Sequence, residues 1–375
     1  MESPCRHMPN RRRAGNLALC YPIGSKCERG VGTVVSQSAG GVGGWIGSRS
    51  PQTRRQKEEM SRRPAMQLFT RLDHTPLIAA AEASSVALHV QTACIWEVLS
   101  RKLGNVHRYQ DFADTTLADF LLSAAACAGP LSQSTLPLGQ RIYQAVAATR
   151  RIVRVNTNLG IILLLAPLTG LDYSSRWENE LGKVLQAADL ADARDVYAAI
   201  RLAQPSGLGQ VPREDVRGEP TLRLQQVMAL AADYDLIARQ YVTDYADVRQ
   251  FGLPVLIEAW ERWGCVEAAV LECQLHWLAQ YGDSAIARKN GPAAAQWVQQ
   301  QAQEVLNLGG LSSAAGRRAA AQLDRRLRLP DNRFNPGTTA DLITACLFVA
   351  LRTQVLRPDS PFVWAQSLGV ELASL

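Results

Sequence analysis

The stretch NRFNPGTTADLITACLFVAL, residues 332–351, sets a turn rich in Pro and Gly before a long apolar run. A Thr or Asp just ahead of an apolar-periodic segment caps a helix, because its side-chain oxygen accepts one of the first turn's unpaired N–H groups. The stretch therefore predicts a buried helix over about 339–355, with Thr338 or Thr339 as its cap and Asp341 complementing the helix dipole. The same turn has a second use, in which its N–H groups cradle a phosphate and Gly337 lets the backbone approach closely. Asp341 repels a bare phosphate, so this use needs a bridging cation such as Mg²⁺.

Outward from this segment the chain reads as one helix after another from Thr75, with Ala and Leu dominant and few β-branched alternating stretches. Thr75 is a candidate cap with Pro76 at the first helical position, and Asp114 or Thr115 caps a second helix that Gly129 closes. Further helices are predicted at about 133–150, 176–187, 190–203, 221–247, 254–281, 293–307 and 313–327. The very apolar segments near 158–166 and 340–351 belong at the centre of an all-α globule. No fixed-period repeat points to a solenoid.

The 375 residues carry a formal charge of +6, but residues 1–66 hold 12 Lys/Arg and 4 Asp/Glu, which leaves 28 against 30 in the rest. The nearly neutral body offers no basic stripe with interleaved aromatics, which argues against a nucleic-acid partner. Rich in Arg, Gly and Ser, the N-terminal stretch is read as disordered, and a natural start at Met60 or Met66 accounts for it most simply. The domain assignment is a basic extension over 1–65 and a single all-helical domain over 66–375. Cys94, Cys127, Cys265, Cys273 and Cys346 sit singly in apolar contexts without a C-x-x-C pair, which suits a reducing cytoplasm. The apolar run IILLLAPL is too short to span a bilayer. A homo-oligomer is compatible with all of this.

The chemistry concentrates in the loops RKLGNVHRYQDF (101–112), VNTNLG (155–160), VPREDVRGEPT (211–221) and GDSAIARKNG (282–291), together with the opening stretch. Glycines for close backbone approach, combined with Lys or Arg and with Asn or Thr, are the ingredients of a phosphate site. Lys102 with Gly104 and Asn105, and Arg288 and Lys289 with Gly291, meet that description. Walker A and dinucleotide fingerprints are absent. Glu97 and Asp341 stand out among the carboxylates because their neighbours are apolar, and a buried carboxylate has to be paired, protonated or bound to metal. The histidines show no metal-ligand spacing, and His276 reads as a packed helical residue.

Taken in order, the loops resemble the triphosphoribosyl-dephospho-CoA synthase family. The resemblance rests on E-x-x-x-x-K-x-G-N at Glu97, Lys102, Gly104 and Asn105; on N-T-x-x-G at Asn156, Thr157 and Gly160; on D-S with a basic-Gly segment at Asp283, Ser284, Arg288 and Gly291; and on NPGTTADL at Asn335–Leu342. It implies an all-α enzyme that transfers the 5-triphosphoribosyl group of ATP to the 2′-hydroxyl of 3′-dephospho-CoA and releases adenine. Glu97 and Asp283 are then expected to act in catalysis. Lys102, Arg288 and Lys289 are expected to neutralise phosphate oxygens, and Gly104, Asn105, Asn156, Thr157, Gly160, Gly337 and Thr338 to shape the nucleotide site. Asp341 with Glu219 is expected to hold Mg²⁺. The first motif departs from the family pattern at Leu103 and Asn105, and the last at Thr338 and Thr339. These changes resemble a divergent branch, for which another cofactor precursor is the alternative acceptor. A non-catalytic helical nucleotide-binding scaffold is the remaining alternative.

Overall fold

Helix α14, Gly337–Arg352, runs through the centre of the computed structural model, which describes residues 75–363 apart from 175 and 330. Nearly every residue of α14 is buried, and Thr344 is accommodated by donating its hydroxyl to the Ala340 carbonyl at 3.0 Å. Around it the chain forms α1 (Thr75–Leu99), α2 (Leu117–Leu131), α3 (Leu138–Ile152), α4 (Leu159–Thr169), α5 (Trp177–Ala187), α6 (Leu190–Ala203) and α7 (Leu224–Ala229). There follow α8 (Leu236–Val242), α9 (Leu253–Trp263), α10 (Val266–Tyr281), α11 (Ser284–Asn290), α12 (Pro292–Asn307) and α13 (Ala314–Leu327). No β-strand occurs among the described residues. The helices lie within one unit, Asp73–Leu375. The expected extension over 1–65, the alternative start sites and the boundary near residue 65 fall outside the described residues.

The expected pairing of the two most apolar helices at the centre is observed. α14 packs against α1, α4, α8, α9, α10 and α11. α4 is buried along almost its whole length, as a helix with no polar face has to be. Pro167 inside α4 has no N–H to offer the Leu163 carbonyl. The Tyr241 hydroxyl donates to that carbonyl instead at 2.6 Å, and Tyr245 donates to the Leu164 carbonyl at 2.9 Å. Both phenols are buried, and burial pushes their pKa values up. A second apolar cluster joins α10, α12 and α13 around Leu271, Leu278, Val298 and Leu323.

Several predicted boundaries move for local reasons. The segment expected as one helix over 221–247 is α7 and α8, because Asp235 caps a new helix by accepting from Ile237 N at 2.8 Å. The segment expected over 254–281 breaks into α9 and α10 at Gly264, whose φ of +63° is a left-handed C-cap. Thr116 rather than Asp114 or Thr115 caps α2, and its N–H is returned to the Asp119 carboxylate at 2.8 Å. α2 also continues past Gly129 to Leu131. Thr75 lies within α1. The stretch 282–291, expected as a loop, contains α11. α14 starts at Gly337, so Thr338 and Thr339 lie inside its first turn and do not cap it.

Candidate active site

The connection after α1 is built around a lysine that folds back. Lys102 Nζ pairs with the Glu97 carboxylate at 2.9 Å and donates to the carbonyls of Glu97 at 2.7 Å and Val106 at 3.3 Å. Those three partners use all the donors of an ammonium group. Both side chains are buried, and burial pushes the Glu97 carboxyl above its usual range and Lys102 below its own, each opposed by the other's charge.

The rest of this loop is clamped by α10 and α13. Gln274, fully buried on α10, accepts from Leu103 N at 2.7 Å and donates to the Leu103 carbonyl and to Asn105 Oδ1, both at 3.0 Å. Asn105 Nδ2 donates in turn to Asn335 Oδ1, which ties the first loop to the turn before α14. Glu267, also buried on α10, pairs with Arg101 at 3.0 Å and Arg108 at 2.8 Å. Gly104, with φ +69°, donates its N–H to Asp324 at 2.7 Å, and a Cβ there would lie 2.7 Å from Leu327 Cβ.

Opposite stands the start of α14. Asp283, the N-cap of α11, accepts from Ile286 N at 3.0 Å, Thr339 N at 2.8 Å and Thr339 Oγ1 at 2.9 Å. One carboxylate therefore caps its own helix and, across space, supplies the cap that the Thr residues do not provide for α14. Burial raises its pKa, and the bonds from Thr339 and Ile286 hold it back. Ser284 Oγ donates to Thr338 Oγ1 at 3.0 Å and adds to the same junction.

Asp341, one turn further along, is half-buried and has no hydrogen-bond or ion-pair partner among the described residues. Burial drives its carboxyl well above the usual carboxylate range, and the charges of Glu97, Asp283 and Asp235 push the same way against Arg288. Gly160, at the start of α4, makes room for it, since a Cβ there would lie 2.0 Å from Asp341 Oδ2.

These elements enclose a cavity of about 1140 Å³, roughly the upper size of ordinary ligand sites. Every one of the predicted loops contributes to its lining. Of the expected site residues, Glu97, Lys102, Asn105, Asn156, Thr157, Gly160, Arg288, Lys289, Gly337, Thr338 and Asp341 come together there. Three do not line it. Gly104 is turned against Leu327, Asp283 is buried beneath Ser284 and Thr339, and Glu219 forms an exposed pair with Arg201 at 3.6 Å. Glu219 is thus not placed with Asp341.

Sequence reasoning missed Gln274 and Asp235. The first had a signal, an amide in the middle of the apolar run ECQLHWLAQ; the second lines the cavity and pairs with Arg288 at 3.4 Å. Lys289, also at the cavity, has its pKa lowered by burial, with Asp283 opposing. No group of three or more His, Cys, Asp or Glu among the described residues could hold a metal ion without help. A lone carboxylate such as Asp341 does suit Mg²⁺ that arrives with phosphate ligands and keeps several waters.

The sequence is similar to known proteins in the same sense. A probable 2-(5''-triphosphoribosyl)-3'-dephosphocoenzyme-A synthase of Pseudomonas savastanoi pv. phaseolicola is 33% identical over 174 residues, 45% of this chain and 56% of the relative. One of the same name from Pseudomonas fluorescens is 29% identical over 235 residues, 62% of this chain and 72% of the relative. The chain thus spans a little over half the length of the first of these curated relatives. A solved Archaeoglobus fulgidus structure, described as a "putative triphosphoribosyl-dephospho-coA synthase", aligns at 24% identity and a TM-score of 0.49, covering 62% of this chain and 98% of that one. The model of the ATP:dephospho-CoA triphosphoribosyl transferase family matches residues 83–359, and the chain belongs to that family.

Proposed function

We propose that the protein transfers the 5-triphosphoribosyl group of ATP to the ribose 2′-hydroxyl of 3′-dephospho-CoA. In this step the bond between C1′ and adenine breaks and a bond from C1′ to the acceptor oxygen forms. The hydroxyl proton leaves to a base, and adenine departs after taking a proton. The observation that carries the reading is the convergence of all the motif loops on one cavity, with the Glu97–Lys102 pair and the unpartnered Asp341 in its wall.

Glu97 is the carboxylate best suited to accept the hydroxyl proton or to face the positive charge that develops on the ribose. Its burial raises its proton affinity, and Lys102 holds it in place. Asp283 is assigned a positioning role, because its oxygens already serve Ile286 and Thr339. Arg288 and Lys289 face phosphate oxygens, and Asn156 and Thr157 add hydrogen bonds. Mg²⁺ would be held by Asp341 together with the triphosphate, where it would neutralise the phosphate charge of the transferred triphosphoribosyl group. A cytoplasmic location agrees with this chemistry, and no helix among the described residues is long and apolar enough to cross a membrane.

The test is mass spectrometry of the full chain incubated with Mg-ATP, with and without 3′-dephospho-CoA. Acceptor-dependent adenine release with a matching adduct supports the assignment. Thermal protection by Mg-ATP without that adduct moves the acceptor to another cofactor precursor, the reading favoured by Leu103 and Asn105 in the first motif. Absence of both protection and product overturns the enzyme assignment in favour of a scaffold.

A further inference from the structure

Apart from Arg213, which lies in the field of Glu214, the cations that line the cavity fall into two groups. Lys102 is paired with Glu97, Arg288 with Asp235, and Lys289 lies in the field of Asp283 and Asp114. Arg150 and Arg154, at the end of α3 and in the connection to α4, are different. Both line the cavity, yet neither has a carboxylate partner among the described residues. Arg150 Nη1 donates to the Arg154 carbonyl, which holds the two residues together. Arg150 also shares a narrow crevice with Asn156 and with Ala203 at the end of α6. Asn156 Oδ1 accepts from Leu159 N, the first residue of α4, at 3.2 Å, and its amide donors have no partner among the described residues.

The two groups suit different anions. A polyphosphate that travels with a divalent cation needs carboxylates within reach of the metal, and Lys102 and Arg288 each stand beside one, Glu97 and Asp235. A carboxylate-free pair of guanidinium groups repels such a cation and matches a bare diphosphate through forked hydrogen bonds.

We propose that Arg150 and Arg154 form a second anion subsite of the cavity, one that binds the metal-free diphosphate bridge of the acceptor while Mg-triphosphate occupies the carboxylate-bearing end. The inference rests on the transfer reading above, which requires one substrate with a metal-bound triphosphate and one with a diphosphate bridge. Separate subsites keep the two from exchanging places.

The experiment is calorimetric titration of the full chain, wild type, Arg150→Gln and Arg154→Gln, with three probes. These are inorganic pyrophosphate in EDTA, 3′-dephospho-CoA in EDTA, and Mg-ATP. Each substitution is expected to weaken both metal-free probes about tenfold or more, the loss that accompanies a charge-assisted hydrogen bond. The Kd for Mg-ATP is expected to stay unchanged. Arg154 is exposed, so Arg154→Gln carries the test if Arg150→Gln fails to fold. Weakening of Mg-ATP to the same extent would assign the arginines to the triphosphate and overturn the proposal. So would unchanged binding of all probes, or a wild type that ignores pyrophosphate without metal. If pyrophosphate follows the expected pattern and 3′-dephospho-CoA does not bind at all, the subsite stands and the acceptor in the transfer reading falls.

Discussion

Replacing Gly160 with alanine would put a methyl carbon 2.0 Å from Asp341 Oδ2, 2.5 Å from its Cγ and 2.8 Å from Ile237 Cδ1. Ordinary contact begins at 3.4 Å, so the carboxylate has to retreat by about 1.4 Å, the difference between the two separations. Within a helix alanine is favoured over glycine by up to ~1 kcal/mol, whereas overpacking opposes it by about 1–3 kcal/mol. Half-buried Asp341 can yield by turning into the cavity, so the net change in stability stays within about 2 kcal/mol. For a unit of this size that is a shift of several degrees in Tm. Function is far more sensitive, because a misplacement of about 1 Å at a site that positions substrate costs on the order of 100-fold in rate. The assay has two arms, thermal melting with and without Mg-ATP and the rate of adenine release. The expected result for Gly160→Ala is a fold that melts near wild type, little added protection by Mg-ATP, and a rate lower by about two orders of magnitude. Wild-type protection and rate in this variant would show that the position of Asp341 is not used, and the site as drawn would be wrong.

Three further outcomes follow from the same geometry. Asp283→Ala strands the buried N–H donors of Ile286 and Thr339 and is expected to lose about 3 kcal/mol of stability by urea denaturation; a variant with wild-type stability and no turnover would return Asp283 to a direct chemical role. Lys102→Met leaves Glu97 buried without a partner, a loss of about 3–5 kcal/mol, and adding Glu97→Leu is expected to recover part of it in a double-mutant cycle. The folded pKa of Asp341 lies above its unfolded value, so its contribution favours folding below the ordinary carboxylate range and is lost as pH rises through the folded pKa. Asp341→Asn is therefore expected to raise Tm near neutral pH without metal and to show no such gain in acid, and a variant less stable than wild type at neutral pH would contradict that sign.

The all-α class was legible because α4 and α14 are apolar over consecutive turns, a pattern that only a buried helix satisfies in a chain with no strand alternation. The loops could be nominated because Gly, Asn, Thr and basic residues interrupt those runs together. Caps were harder to place. Thr338 and Thr339 carry the right side chains for a local cap, yet the structure supplies the acceptor from Asp283, 56 residues away. Gly104 matched a phosphate-loop pattern and proved to be a packing glycine against Leu327, while Glu219 matched a carboxylate role and paired with Arg201 in solvent. Gln274 reads as an ordinary helical amide until the loop it clamps is folded over it. Helix content and the list of chemically equipped loops thus came from sequence alone, since periodicity and residue type act within a few positions along the chain. The tertiary structure decided which loops share a cavity, which carboxylate is saturated and which is left without a partner, because hydrogen-bond partners and desolvation are set by groups that meet only when distant segments pack.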